Sequence, residues 1–299
     1  MRKSRNASKR RGQHNKANKG RASLTLIILL FVVGAGVLLY PTISDLWNTI
    51  RNNQLVTVYQ SKVDRTPQKR IAEEWRQAKK YNRQHTANII VDAFTQENYL
   101  KKHPYVDLLN PTDNGVMGYL EIPRIQQRLA IFHGTSAKVL EEGVGHVEGT
   151  SLPIGGKGTH AVLAAHRGLS GAKLFSDLDQ MKKKDKFYIT VLDRHLAYEV
   201  DKISVVRPKN TEPLQIHAGR DEVTLLTCTP YGVNTQRLLV RGHRVPYRTH
   251  APIRSPFSKL LHSWQFWVAA GVAAAIIINE ILRRKKRRAK ALKKPDAQG

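Results

Sequence analysis

Two uncharged apolar runs, each abutting a dense basic block, constrain this chain more than any other feature. The first, LTLIILLFVVGAGVLLY at 24–40, can just cross a hydrocarbon core at the rise of about 1.5 Å per residue of a helix. The second opens with Trp264 and Trp267, continues through VAAGVAAAIII to Ile278, and is interrupted by Asn279 and Glu280 before Leu282. Aromatic rings at one end and the six consecutive cations of 283–288 at the other match an interfacial belt and a cytoplasmic anchor. The expected topology is basic cytoplasmic tails at 1–23 and 283–299, transmembrane helices at 24–40 and 264–282, and the intervening chain outside the plasma membrane. A cleaved signal peptide is the alternative for the first run, and a buried core helix for the second.

The same localisation disposes of an obvious reading of the charge. The formal net charge is +27, with 50 Lys and Arg against 23 Asp and Glu, which first suggests a nucleic-acid partner. Residues 1–23 hold nine Lys/Arg and no acid, and 283–299 hold nine more with Asp296 alone opposing them. Both clusters flank apolar runs, so a membrane explains them and no nucleic-acid partner is expected. A 41% hydrophobic content excludes wholesale disorder. The single cysteine, Cys228, excludes an intramolecular disulfide framework and any multi-cysteine metal site.

Within the outer portion, 41–85 reads as helical. Thr66-Pro67 resembles an N-cap with proline at the first helical position, and Ile71, Trp75, Ala78 and Tyr81 then share one helix face. Residues 86–115 are irregular, with prolines at 104 and 111. Such a long connection is either a functional cover or a linker. From 116 to about 250, short β-type runs recur between turn signals at 117–122, 128–132, 160–164, 186–192, 196–206, 223–228 and 237–242, with helical stretches at 137–142 and 172–181. Seven or eight strands at this spacing predict a closed or nearly closed β-barrel, followed by a linker at 251–263.

Chemistry concentrates where the strands end. Cys228 closes the run VTLLTC, and Arg237 opens RLLVR after a turn-rich loop. An antiparallel hairpin would bring the thiol and the guanidinium to one rim, as nucleophile and oxyanion stabiliser. A buried structural cysteine is the competing interpretation. An imidazole suits proton transfer in thiol chemistry, and His166 follows the 160–164 run. Among twelve histidines, His133, His146, His160, His195, His217 and His243 compete with it, and spacing does not choose.

The segments MGYLEIP (117–123), FHGT (132–135), GVGHVEGTSLPIGG (143–156), AAHRGLSGAKLF (164–175) and TLLTCTPYGVNTQRLLVRGHR (224–244) together resemble the class C sortases, the pilus-assembling transpeptidases of Gram-positive bacteria. The resemblance runs from about residue 85 to 247. It implies an eight-stranded sortase β-barrel with short helices, an N-terminal helical segment and two flanking transmembrane helices. It further implies a catalytic trio of His166, Cys228 and Arg237 and an active-site lid at 86–115 carrying Asp92 and Phe94. Ala93 stands where the family has proline. The implied reaction cleaves an LPXTG-like sorting signal between Thr and Gly through a thioacyl enzyme. It then joins the pilin to a lysine amine of another pilin, without metal or organic cofactor. A sortase that anchors surface proteins to peptidoglycan and a non-enzymatic membrane-tethered barrel are the alternatives.

Overall fold

The computed structural model describes residues 3–84, 104–169, 171–253, 255, 258, 261, 262 and 264–292. The chain divides into two compact units, Ser44–Ser258 and a second comprising Met1–Ile43 with Lys259–Gly299. The first unit holds all the described strands together with helical segments that flank and interrupt them, and the second unit is helical.

Eight strands form a closed barrel: β1 (Val116–Ile122), β2 (Gln127–His133), β3 (Val144–His146), β4 (Thr159–Ala164), β5 (Lys186–Val191), β6 (Arg194–Val206), β7 (Asp221–Thr229) and β8 (Gln236–Val245). Their spatial order is β1-β2-β3-β4-β7-β8-β6-β5. Closure pairs every strand on both sides, so none presents an open edge. Most neighbours are antiparallel, but β2 with β3 and β4 with β7 run parallel. The second parallel pair requires a long crossover, which β5 and β6 occupy.

The sequence predicts these strands except β3, whose three residues are too few for a periodic signal. The helix expected at 137–142 is present as α3 (Ala137–Glu142), with the Ser136 side chain accepting from the Val139 amide. The helix expected at 172–181 does not form. Turns occupy that stretch, and only Leu178–Gln180 makes a single 3-10 turn. Its residues instead close a loop: Phe175 donates its amide to the His166 carbonyl at 3.1 Å, and Ser176 to Lys173.

Two helices precede the barrel, α1 (Lys3–Arg65) and α2 (Gln68–Gln84). The expected Thr66 cap on α2 is replaced by a different arrangement. The Thr66 hydroxyl donates back to the Lys62 carbonyl at 2.7 Å, closing α1. The Pro67 carbonyl accepts the first amides of α2, from Arg70 and Ile71. The predicted face of α2 is buried at Ile71, Trp75, Ala78 and Tyr81; burying Ile71 is worth roughly 1.5–3 kcal/mol relative to exposure. Trp75 also donates to Asp193 at 2.8 Å, and Asn82 exchanges two bonds with the Leu152 backbone. In α1, Tyr59 donates to the Met117 carbonyl and accepts from the Leu192 amide. The helices are thereby bonded to the barrel wall.

The irregular 86–115 segment is described from 104 onward, where Tyr105, Leu108 and Leu109 are buried in the core. Asp92 and Phe94 lie outside the described residues.

In the second unit, α1 from Leu29 and α4 (Trp264–Leu292) are long and apolar enough to cross a membrane. Their large apolar residues stand exposed, among them Leu30, Val37, Trp267 and Ile277. Water would penalise such a surface, and a hydrocarbon phase would not.

Candidate active site

One face of three adjacent strands brings the candidate residues into register. The parallel pairing of β4 with β7 sets His160 opposite Glu222, Val162 opposite Thr224 and Ala164 opposite Leu226. On the other flank of β7, β8 sets Leu239 opposite Leu226 and Arg237 opposite Cys228. Side chains two residues apart share a face. Ala164, Leu226 and Leu239 belong to one apolar cluster with Leu140, Val147, Val162 and Leu214. The next row on that face holds Cys228 and Arg237. The β4–β7 register, carried two residues past the end of β4, sets His166 across from Cys228.

Local bonds build this end of the sheet. The Ala165 amide donates to the Leu226 carbonyl at 3.2 Å, and the Thr227 hydroxyl donates to the Ala165 carbonyl at 2.7 Å. His166 is half-buried, whereas Cys228 and Arg237 are each 8% exposed. Arg237 donates from Nη1 to the carbonyls of Asn234 and Gln236, at 3.2 and 3.1 Å. The β7–β8 loop thus orients the guanidinium through its own backbone. Burial pushes the His166 imidazole below its usual range, against an opposing pull from the Glu141 carboxylate. A depressed imidazole is mostly neutral at neutral pH and remains able to take or give a proton.

The competing histidines are committed elsewhere. His146 lies between the Tyr105 hydroxyl at Nδ1 and the Ser151 carbonyl at Nε2, and burial pushes it down to about 4. His133 faces the carbonyls of Gly115 and Leu108. His160 meets the Gln215 carbonyl and the Thr224 hydroxyl, and His195 meets Thr190. His243 approaches Asp201 at 4.0 Å.

His160, His217 and Glu222 present ligand atoms within 4.8 Å of one another, a spacing that would admit a metal ion. Their donor atoms are already engaged. Glu222 accepts from His217 at 2.6 Å and from Arg220 at 3.2 Å, with Arg241 at 3.4 Å. Two guanidinium groups beside the only carboxylate oppose a cation, and the cluster fits an ion-pair network better than a metal centre.

Sequence reasoning did not single out Arg167 or Thr229, which flank His166 and Cys228. Arg167 donates from Nη1 to the Thr229 hydroxyl at 2.9 Å. Its position directly after His166 was the one available signal; the partner, 62 residues on, gave none.

Residues 120–245 match the family model described as Sortase domain. Among curated relatives, Sortase A of Bacillus anthracis is 34% identical over 130 residues, covering 44% of this chain and 60% of that protein. Sortase D of Bacillus subtilis (strain 168) is 30% identical over 138 residues, covering 45% and 67%. The chain thus spans 60% of the length of the first of these relatives. Solved structures match over more of the chain. Sortase C of Streptococcus pneumoniae shares 43% identity at a TM-score of 0.60, covering 66% of this chain and all of that one. Sortase C-1 of Actinomyces oris shares 46% at a TM-score of 0.57, covering 59% and 99%.

Proposed function

The chain belongs to the sortase family, with class C sortases among its structural neighbours, and from that premise we propose that it is a pilus-assembling cysteine transpeptidase. The observation that carries this reading is the row at the end of β7, where Cys228 pairs in register with Arg237 and His166 leaves the parallel neighbour. The pneumococcal relative is described as informing pilin substrate specificity, which favours pilins as substrates over other surface proteins.

In this mechanism His166, neutral at rest, takes the Cys228 thiol proton, and the resulting thiolate attacks the Thr carbonyl carbon of an LPXTG-like signal. The electron pair displaced onto the carbonyl oxygen is met by the Arg237 guanidinium, a charged donor whose orientation is preset by Asn234 and Gln236. The Thr–Gly C–N bond then breaks, and His166 gives a proton to the departing amine. A thioester to Cys228 remains. A lysine amine of another pilin attacks that thioester, His166 takes the amine's proton, the C–S bond breaks, and an isopeptide bond joins the two subunits. Each step balances without an external cofactor.

The same reading gives the membrane helices an orientation. With 1–23 and 283–299 both rich in Lys and Arg, both termini face the cytoplasm and the barrel works on the outer surface. Tags placed at either terminus should resist protease in intact protoplasts while the barrel is digested.

The decisive test mixes the full-length protein in detergent with purified pilins carrying an LPXTG-like signal. Covalent pilin ladders that contain a Thr-to-lysine isopeptide bond are expected. Cleavage with transfer only to peptidoglycan precursors would establish the anchoring alternative, and no cleavage with any sorting signal would defeat the enzymatic reading.

A further inference from the structure

Beyond the trio itself, the loop that carries His166 is tied past Ala165 to the strand that carries Cys228 through the Arg167 side chain. The β4–β7 backbone ladder ends at Ala164 opposite Leu226, with a last amide bond from Ala165. Past that point the two segments diverge, since β7 runs on to Thr229 while the other chain enters a loop. The constant offset of the parallel pairing would set residue 167 opposite residue 229. No backbone rung is formed there among the described residues. Instead the Arg167 guanidinium donates from Nη1 to the Thr229 hydroxyl at 2.9 Å.

The rest of this guanidinium is bound on the other side. Nε donates to the Ser176 carbonyl at 3.3 Å, and Nη2 pairs with the Asp179 carboxylate. The Tyr231 ring, also beyond Cys228, lies with its centroid 5.9 Å away. The Arg167 side chain is 8% exposed, a degree of burial that a charged residue tolerates only when paired. The loop closes tightly around it. The Gly168 amide donates to the Ser176 hydroxyl at 3.1 Å. Gly168 has φ +76°, and a Cβ there would stand 3.1 Å from the Tyr231 ring.

We infer that Arg167 is a positioning residue, whose side chain replaces the missing backbone rung and so holds His166 in register with Cys228. This rests on the transpeptidase reading above. The pair is enclosed between two cross-links, Thr227 to the Ala165 carbonyl on one side and Arg167 to Thr229 on the other. Asp179 matters in the same arrangement, because it offsets the guanidinium charge beside the imidazole and fixes the plane of the fork. Lysine in place of Arg167 has a point charge and no fork, so it cannot reach Thr229, Ser176 and Asp179 at once.

The test uses full-length protein in detergent and two readouts. The first needs no substrate: the rate of Cys228 alkylation by iodoacetamide across pH 5 to about 9, which spans the usual titration of imidazole and thiol. The second is turnover and KM on a sorting-signal peptide. Arg167→Gln and Thr229→Val are expected to move the midpoint of the alkylation profile in the same direction. They should lower kcat by about a hundredfold, the cost of a displacement near 1 Å, with KM little changed. Thr229→Ser, which keeps an acceptor oxygen, should recover most of the loss seen in Thr229→Val. The double variant should lose no more than either single one, since both break the same link.

An unchanged alkylation profile in Thr229→Val, a variant that keeps the strand backbone, would overturn the inference. So would kcat losses that track only a fall in melting temperature, because that pattern describes a structural arginine. A wild-type protein that alkylates with a two-group pH profile but cleaves no sorting signal would count against the transpeptidase reading and leave the Arg167 link intact.

Discussion

Two rows on the same face of the same three strands end in opposite chemistry. At the start of β7, His160 on β4 and His243 on β8 flank Glu222. Six residues on, Cys228 has Arg237 on β8 beside it and His166 just beyond β4. Both rows bring an imidazole, a reactive side chain and a cation together. The first is bonded into silence. Burial pushes the Glu222 carboxyl up, but His217 and Arg241 outweigh it and leave it below its ordinary range. Arg241 is in turn held bidentate by Asp201, at 3.0 and 2.9 Å. The second row lies where the β4 ladder stops, so its imidazole is half-buried rather than enclosed. The lesson is that a rim position, more than residue type, separates a half-buried imidazole from an enclosed one.

The largest expected effect breaks the row at Cys228. Cys228→Ala should abolish both the thioacyl adduct, followed by mass spectrometry, and isopeptide formation. Its melting temperature should barely move, since the loss of one sulfur leaves the bonded strands on either side. Any remaining polymer formation would remove Cys228 from the mechanism.

The converse break is at the silent row. Arg241→Met removes a cation shared by Asp201 and Glu222 and leaves both carboxylates short of a partner. Destabilisation by about 3 kcal/mol in denaturant unfolding is expected, a magnitude typical of a broken buried pair. Turnover per folded molecule should be unchanged. A fall in turnover at full folding would show that the two rows are coupled.

Acid should expose the difference between buried and rim histidines. His146 titrates near 4 in the folded barrel and near 6.5 when unfolded. Its folded pKa is depressed, so below about 6.5 the unfolded chain binds the extra proton and gains stability from it. Folding stability therefore falls as pH drops from about 6.5 to about 4 and levels off below. The loss is on the order of 3 kcal/mol for this one group. Thermal unfolding of a 44–258 fragment across that window measures it, and a flat profile would contradict the enclosed geometry of Tyr105 and Ser151 around the ring.

The smallest effect sharpens the other side. Glu141 raises the affinity of His166 for its proton, in opposition to burial. Glu141→Gln should therefore move the His166 titration, read by NMR, further below the usual imidazole range. A shift upward would show that another group sets it.

The barrel was legible where its strands are long enough to display a run. β4, β7 and β8 announce themselves as short apolar segments, and the buried face of α2 is spelled out by Ile71, Trp75, Ala78 and Tyr81. The 172–181 stretch misled because its composition suits a helix. Its amides are spent on the His166 loop and on single turns. The three residues of β3 carry too little pattern for any periodicity to emerge.

Within the site the division follows sequence distance. Cys228 and Arg237 are joined by one hairpin, a local element whose pairing is set by its own turn, so the residues alone suggested their meeting. His166 was different. Spacing left several histidines standing, and family resemblance rather than chemistry singled one out. What ties His166 to Cys228 is a parallel pair with β5 and β6 inserted in its crossover. No turn sets the register of such a pair; it is set by which faces bury against the rest of the barrel. The sequence by itself determined the apolar spans, the strand runs and the thiol–guanidinium hairpin, because each depends on contacts between near neighbours. The tertiary structure decided which imidazole falls in register with the thiol and which are consumed by carbonyls and hydroxyls elsewhere in the chain. Those bonds form only once closure of the barrel has brought distant segments together and excluded water from between them.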